Sequence, residues 1–368
     1  MRALAALGVV VFHVGTISLL NFSPLVGGFT SHLDLGVTLF FLLTGFLLYR
    51  PFAQAALFSS EPPSVARYFN HRLLRIVPAY WVALTFLGLW PGLEGVFTRQ
   101  WWVYYGFAQS YRRDWLHGGI APAWSLSIEV AYYVLLPPFG LALVWLSRRG
   151  SLQARLRAQF AALTMLGLSG VALRFWIIQA GLRDLSGTLL AHLLWFALGM
   201  SLAVGRSWVD RCTTPRWLQV AIARPVACWV LALAIYTFIA LTPFFPRPFD
   251  GRQYSAFALT VEHVLYGIIA ALVMLPAVFG ESAGGLPWRP LAHRSLAWVG
   301  AISYGIFLWH QPLLKAICDR GGAKLFPGWS FLSLLLPTLG ASIVCGWASY
   351  RFIEQPAMRL ARSRDRSS

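Results

Sequence analysis

Long apolar runs, separated by short basic or Gly- and Pro-containing stretches, recur along the whole chain. A helix that crosses hydrocarbon needs about twenty apolar residues. On that measure the runs predict ten spanning helices, at 3–20, 34–50, 77–93, 122–146, 158–180, 187–205, 225–243, 256–279, 295–317 and 329–350. Two connections are more than links. Residues 64–76 mix basic and apolar positions at helical spacing, which predicts an interfacial helix ended by Pro78. Residues 100–121 open with Gln100-Trp-Trp-Val-Tyr-Tyr-Gly-Phe107, too polar to span yet aromatic enough to dip into the interface as a re-entrant loop.

Composition turns this pattern into a class. The 368 residues are 58% hydrophobic and 12% charged, against about 25% charged in a soluble domain. The expectation is an all-α polytopic membrane protein built around a central polar cavity, since the runs are too long for barrel strands. A net charge of +17 raises the question of nucleic acid. The cations, however, lie between apolar runs and not on one polar face, so no nucleic-acid partner is expected. With the N-terminus inside, the inner connections hold twenty Lys and Arg residues and the outer ones eight. That is the bias a membrane topology requires, and it puts both termini in the cytoplasm. No cleavable signal peptide is evident. Only Lys315 and Lys324 are lysines among the basic residues, the usage of a GC-rich bacterial chain, so the bacterial inner membrane is the expected location. Residues 1–358 read as one transmembrane domain and 359–368 as a basic cytoplasmic tail. Cys212, Cys228, Cys318 and Cys345 are scattered, and neither a disulfide framework nor a metal site is expected.

Candidate chemistry sits on the first helix. Arg2 and His13 are eleven residues apart and so share one helix face, separated by about 16 Å of rise. Glu129, Arg174, His192, Glu262, His263 and His310 are also ionisable groups inside apolar runs. Counted by rise from their helix ends, they fall with His13 in one outer-half layer, the lining of a shared polar cavity. Arg2, Arg72 and Arg75 fall at the inner face without an acidic run beside them. Clustered guanidinium groups suit phosphate, and they equally suit anionic lipid headgroups. A nucleotide with an extended acyl-bearing arm, as in coenzyme A thioesters, would reach from the arginines to His13. The structural alternatives are a histidine satisfied by a neighbouring helix, and tryptophans at 124 and 309 that anchor helix ends at the interface.

Six segments carry a resemblance. Arg2 followed by His13, Gly36-Val-Thr-Leu-Phe-Phe-Leu-Leu-Thr-Gly-Phe46, Arg72-Leu-Leu-Arg75-Ile-Val-Pro-Ala-Tyr80, Trp124-Ser-Leu-Ser-Ile-Glu129, Ser303-Tyr-Gly-Ile-Phe-Leu-Trp-His310 and Arg351-Phe-Ile-Glu354-Gln-Pro356 occur in that order. Together they resemble the acyltransferase-3 family of membrane O-acyltransferases, in the stand-alone form without a C-terminal soluble domain. The family's acidic residue in the second segment is Thr38 here, with Asp34 one turn earlier. The few residues that usually precede the opening arginine are also missing.

The resemblance implies transfer of an acyl group, commonly acetyl, from cytoplasmic acyl-CoA as co-substrate to a hydroxyl of a carbohydrate or glycoconjugate acceptor outside. His13 is then the general base, with a transient acyl-histidine as the other chemical route. Glu129 orients His13 or binds a sugar hydroxyl. Arg2, Arg72 and Arg75 hold CoA phosphates. Trp124, Trp309 and His310 are candidate acceptor contacts, and Glu354 fixes the inner end of the last helix. The rival class is a multi-helix transporter or flippase for a glycolipid or sugar. The lack of an internal repeat and of paired broken helices counts against it. A catalytically dead scaffold is a third reading.

Overall fold

A computed structural model describes residues 1–116, 118–182, 184–216, 218–219, 224–247, 250–280 and 293–367. Two cations counted above, Arg183 and Arg289, lie outside the described residues. Among these residues there is no strand. The longer helices are α1 (Arg2–Ile17), α2 (Leu35–Phe58), α3 (Val65–Leu87), α4 (Trp124–Ser147), α5 (Leu152–Gln179) and α6 (Leu193–Val209). They continue as α7 (Pro225–Leu241), α8 (Ala256–Phe279), α9 (Arg294–Asp319), α10 (Ser330–Ser349) and α11 (Gln355–Ser367). The first ten fall on the ten predicted runs.

Seven of these helices are long and apolar enough to cross a membrane: α2, α3, α4, α5, α6, α8 and α10. This makes the chain an all-α multi-pass membrane protein. Helices α1 and α7 are apolar but only 16 and 17 residues long. Helix α9 has 26 residues, but its run is interrupted by His310, Gln311 and Lys315.

Pro78 does not end the amphipathic helix, contrary to expectation. Residues 65–87 form one continuous helix with the proline inside it. A proline within a bundle is tolerated when neighbours satisfy the freed backbone groups. The carbonyl that Pro78 leaves without its intrahelical donor is that of Leu74; the Tyr304 hydroxyl of α9 donates two residues further on, to the Ile76 carbonyl at 3.0 Å, and ties α3 to α9 there. The predicted re-entrant segment is a series of short turns, a helix at Trp101–Tyr105 and 3₁₀ turns at Gln109–Tyr111, Arg113–Trp115 and Ala121–Ala123. Val103, Gln109, Ser110 and Ile120 are buried in it. Tyr80 and Trp81 of α3 clamp this segment by donating to the carbonyls of Tyr104 at 2.8 Å and Tyr105 at 3.0 Å. Residues beyond 358 are helical as far as Ser367, and α11 packs on α3 with Ala361 buried.

Two helix contacts position the site. Helices α2 and α6 cross with backbones touching: a Cβ on Gly199 would lie 2.0 Å from the Leu42 carbonyl oxygen, and one on Gly45 would lie 2.6 Å from that of Phe196. Small residues permit such close packing where hydrocarbon gives no hydrophobic drive between helices. Helix α1 docks on α9 and α10 through a separate core of Val10, Val14, Ile302, Ile306, Leu314 and Leu334. Beyond the end of α1, buried Asn21 donates through Nδ2 to the Phe12 carbonyl at 3.0 Å and to Thr16 Oγ1 at 2.8 Å. This pins the turn that carries His13.

Candidate active site

The first element of the site is a cavity lined by Arg2, Arg72, Arg75, Thr44, Ser125, Glu129, Tyr133, Ser303 and Tyr304. Apolar residues of α2, among them Val37, Phe40, Phe41, Leu43 and Leu47, form one wall. The three arginines come from α1 and α3, and the carboxylate from α4. Arg72 and Arg75 are one helical turn apart, so α3 presents both to the same space.

Glu129 takes a different place from the one rise-counting assigns. Its Oε1 accepts from Thr44 at 2.8 Å and from Tyr133 at 2.5 Å, and it shares the electrostatic neighbourhood of Arg2 and Arg72. Counting rise assumed that α4 begins at the membrane surface. Its first turn instead lies level with Arg2, because the turns before it run inside the protein. Helix α2 continues fourteen residues past Thr44 to Phe58, and α4 eighteen past Glu129 to Ser147. Those are lengths of about 21 and 27 Å. Their far ends meet where Arg155 donates to the Leu57 carbonyl at 3.3 Å and the Arg148 carbonyl at 3.0 Å. The cationic cavity thus lies well back from the Phe58 and Ser147 ends of α2 and α4, while Arg2 itself opens α1. Glu354, 4% exposed, interacts electrostatically with Arg75 and Arg2 and accepts from Ser349 at 3.4 Å.

The second element is a histidine pair. His13 Nδ1 lies 2.9 Å from the Val9 carbonyl oxygen and 3.2 Å from His310 Nε2. His310 is fully buried, and its Nδ1 faces the carbonyls of Ile306 at 3.1 Å and Phe307 at 2.8 Å. His13 keeps some accessible surface. Neither ring lines the arginine cavity. Phe307 does, and its ring centroid lies 6.0 Å from that of His310 and 6.3 Å from that of Phe40. Phe307 thus touches both the arginine cavity and His310.

A third polar group occupies α5, α6, α8 and the turn before α2. Tyr266 donates to Asp34 Oδ1 at 2.9 Å and lies 2.8 Å from His32 Nδ1, which is 3.2 Å from Glu262 Oε1. Arg174 interacts electrostatically with Glu262. His192 and His263 stand with ring centroids 5.6 Å apart, and His263 stacks on Trp195 at 4.0 Å. The expected single layer of ionisable groups is thus three groups, and Asp34 belongs to this third one.

Of the tryptophans, Trp124 opens α4 with its ring 5.9 Å from that of His192. Trp309 packs partly buried against the core, its indole nitrogen without a hydrogen-bond partner among the described residues. Sequence reasoning missed Thr44, Tyr133, Ser303 and Tyr304 as lining residues. Tyr133 is one turn beyond Glu129, so helical spacing reaches it; Thr44, Ser303 and Tyr304 join the cavity from other helices, across contacts that spacing does not encode.

Comparison with known proteins bears on this arrangement. A family model described as an acyltransferase domain matches residues 1–351. A putative peptidoglycan O-acetyltransferase, YrhL of Bacillus subtilis, is 25% identical over 97% of this chain and 54% of its own length. The O-acetyltransferase OatA of Staphylococcus aureus is 25% identical over 97% of this chain and 56% of its own. The peptidoglycan O-acetyltransferase OatA of Listeria monocytogenes is 23% identical over 97% and 54%. The chain spans about half the length of the curated relatives it matches. No solved structure matches it.

Proposed function

This chain belongs to the acyltransferase domain family, and on that footing we propose that it is a membrane-embedded O-acyltransferase. It moves an acyl group, acetyl in the first instance, from cytoplasmic acyl-CoA to a hydroxyl of a carbohydrate acceptor on the outer side. Peptidoglycan is the acceptor class that the names of the YrhL and OatA relatives favour. All ten long helices cross the inner membrane, with both termini in the cytoplasm.

The observation that carries this reading is the division of labour along α1. Arg2 and two further guanidinium groups share a cavity at one end, and a histidine pair stands at the other. Guanidinium groups stay charged and bind phosphate oxygens bidentately, so Arg2, Arg72 and Arg75 hold the phosphates of the donor. Glu129, held by Thr44 and Tyr133, and Glu354 limit the repulsion among the three cations. The arm of the donor then follows α1 for about 16 Å to His13. His13 takes the proton of the acceptor hydroxyl as that oxygen attacks the thioester carbonyl. The C–S bond breaks, the thiolate leaves, and the imidazolium returns the proton to give the free thiol. A positioned base of this kind contributes about 10²–10⁴ in rate.

The test is acetyl transfer from labelled acetyl-CoA in membranes holding His13→Ala at wild-type abundance. Turnover is expected to fall by at least about 10², and retained turnover would remove His13 from the chemistry.

A further inference from the structure

We infer that His310 is a positioning residue that holds His13 as the Nδ1–H tautomer and so makes His13 Nε2 the basic nitrogen. The inference rests on the reading of His13 as the base, and it follows from counting donors and acceptors. His310 Nδ1 faces two backbone carbonyls, of Ile306 and Phe307. Carbonyl oxygens only accept, so Nδ1 of His310 carries the proton. In the neutral ring, Nε2 of His310 is then a lone pair.

That lone pair is aimed at His13 Nδ1, 3.2 Å away, and the Val9 carbonyl oxygen lies 2.9 Å from the same nitrogen. Two acceptors thus meet one nitrogen. A hydrogen on Nδ1 serves both in a shared bond. The opposite tautomer would set three lone pairs against each other in a buried place, with no donor among them. The backbone carbonyl alone leaves the ring a choice of rotation. His310 removes it, because its own ring is fully buried and held by two carbonyls.

During transfer the hydroxyl proton passes to His13 Nε2 while the hydroxyl oxygen bonds to the thioester carbon and the thiolate departs. His13 is then an imidazolium, and its Nδ1–H keeps both acceptors. The bond to His310 becomes charge-assisted at that moment, so it strengthens in the transition state and not in the bound ground state. His310 touches neither donor nor acceptor in this scheme. A role in holding the acceptor, which sequence position alone allows, would instead move the acceptor Michaelis constant.

Two measurements test the inference. The first is nitrogen-15 solid-state NMR of histidine-labelled wild-type protein in lipid, with the His13 signals assigned by their loss in His13→Ala. Nδ1 is expected to be protonated and Nε2 not; a proton on Nε2 overturns the inference whatever the activity. The second is steady-state kinetics of His310→Phe and His310→Gln. The phenylalanine variant is expected to lose about tenfold to a hundredfold in kcat, part of what a positioned base contributes, with the Michaelis constants for acetyl-CoA and acceptor within about twofold. Glutamine, whose side-chain oxygen can stand near the Nε2 position, is expected to restore part of that loss. An unchanged kcat in His310→Phe, beside an inactive His13→Ala, overturns the positioning role and leaves His13 as the base. Turnover by His13→Ala overturns the base itself.

Discussion

At the scale of single residues, the three arginines of the cavity come from two helices. Arg2 is carried by the first turn of α1, while Arg72 and Arg75 stand one turn apart on α3. Headgroup attraction and donor binding make opposite demands here. A headgroup site needs only exposed cations, whereas these three share one cavity with Glu129, Tyr133 and Tyr304. Arg72→Gln with Arg75→Gln is therefore expected to raise the Michaelis constant for acetyl-CoA by about tenfold or more, since each charge-assisted hydrogen bond contributes about 1.5–3 kcal/mol. An unchanged constant, measured at equal protein abundance, would return the arginines to a structural role. Single residues were also what the sequence displayed best. Arg2, His13, Glu129 and His310 are visible as ionisable groups in apolar runs, because hydrocarbon makes such groups expensive. Their partners were not visible. His310 meets His13 across 297 residues of sequence, and Thr44 meets Glu129 across 85. No local periodicity encodes a contact of that kind.

At the scale of the element, α3 has two duties. Its first half carries Arg72 and Arg75, and its second half clamps the segment 100–121 through Tyr80 and Trp81. Pro78 stands between them inside a continuous helix, so the two duties are joined by one rigid piece. The sequence reading splits this helix at the proline, because a proline ends a helix in water, whereas packing against neighbouring helices keeps it continuous here. The joined helix ties the arginine cavity to the segment 100–121. For the proposed donor and acceptor, binding of one is expected to alter affinity for the other by the same factor in both directions. Calorimetric binding of CoA with and without a soluble acceptor glycan reads this. A several-fold change is expected, and identical affinities would uncouple the two halves of α3.

At the scale of the molecule, the run pattern located the long helices among the described residues, seven of them long and apolar enough to cross a membrane, and their order along the chain was legible almost throughout. Depth was not. Rise counted from a helix end places a residue only if that end lies at the membrane surface, and α4 starts inside the protein. The proposed orientation of the bundle rests on the charge bias, twenty cations against eight. In a background with the native cysteines replaced, Glu61→Cys is expected to react with an impermeant maleimide only after the membrane is opened, and Gln100→Cys in intact cells. Both positions are exposed. Labelling of both from one side would overturn the proposed topology.

The Phe40–Phe307 pair has a consequence for which donors can be used. The two rings meet edge to face with centroids 6.3 Å apart, a contact distance that leaves no open channel between them, so a donor arm that passes this pair has to turn the rings aside. Phe40 rides on a helix whose backbone already touches α6 at Gly45 and Gly199, so that side of the pair yields only by turning the ring. The pair is then a gauge of the travelling end of the donor: a two-carbon acyl group asks for the smallest displacement of the rings, and branched or long chains ask for a larger one. Turnover is expected to fall in order from acetyl- to butyryl- to isobutyryl-CoA, with Phe40→Ala flattening that order.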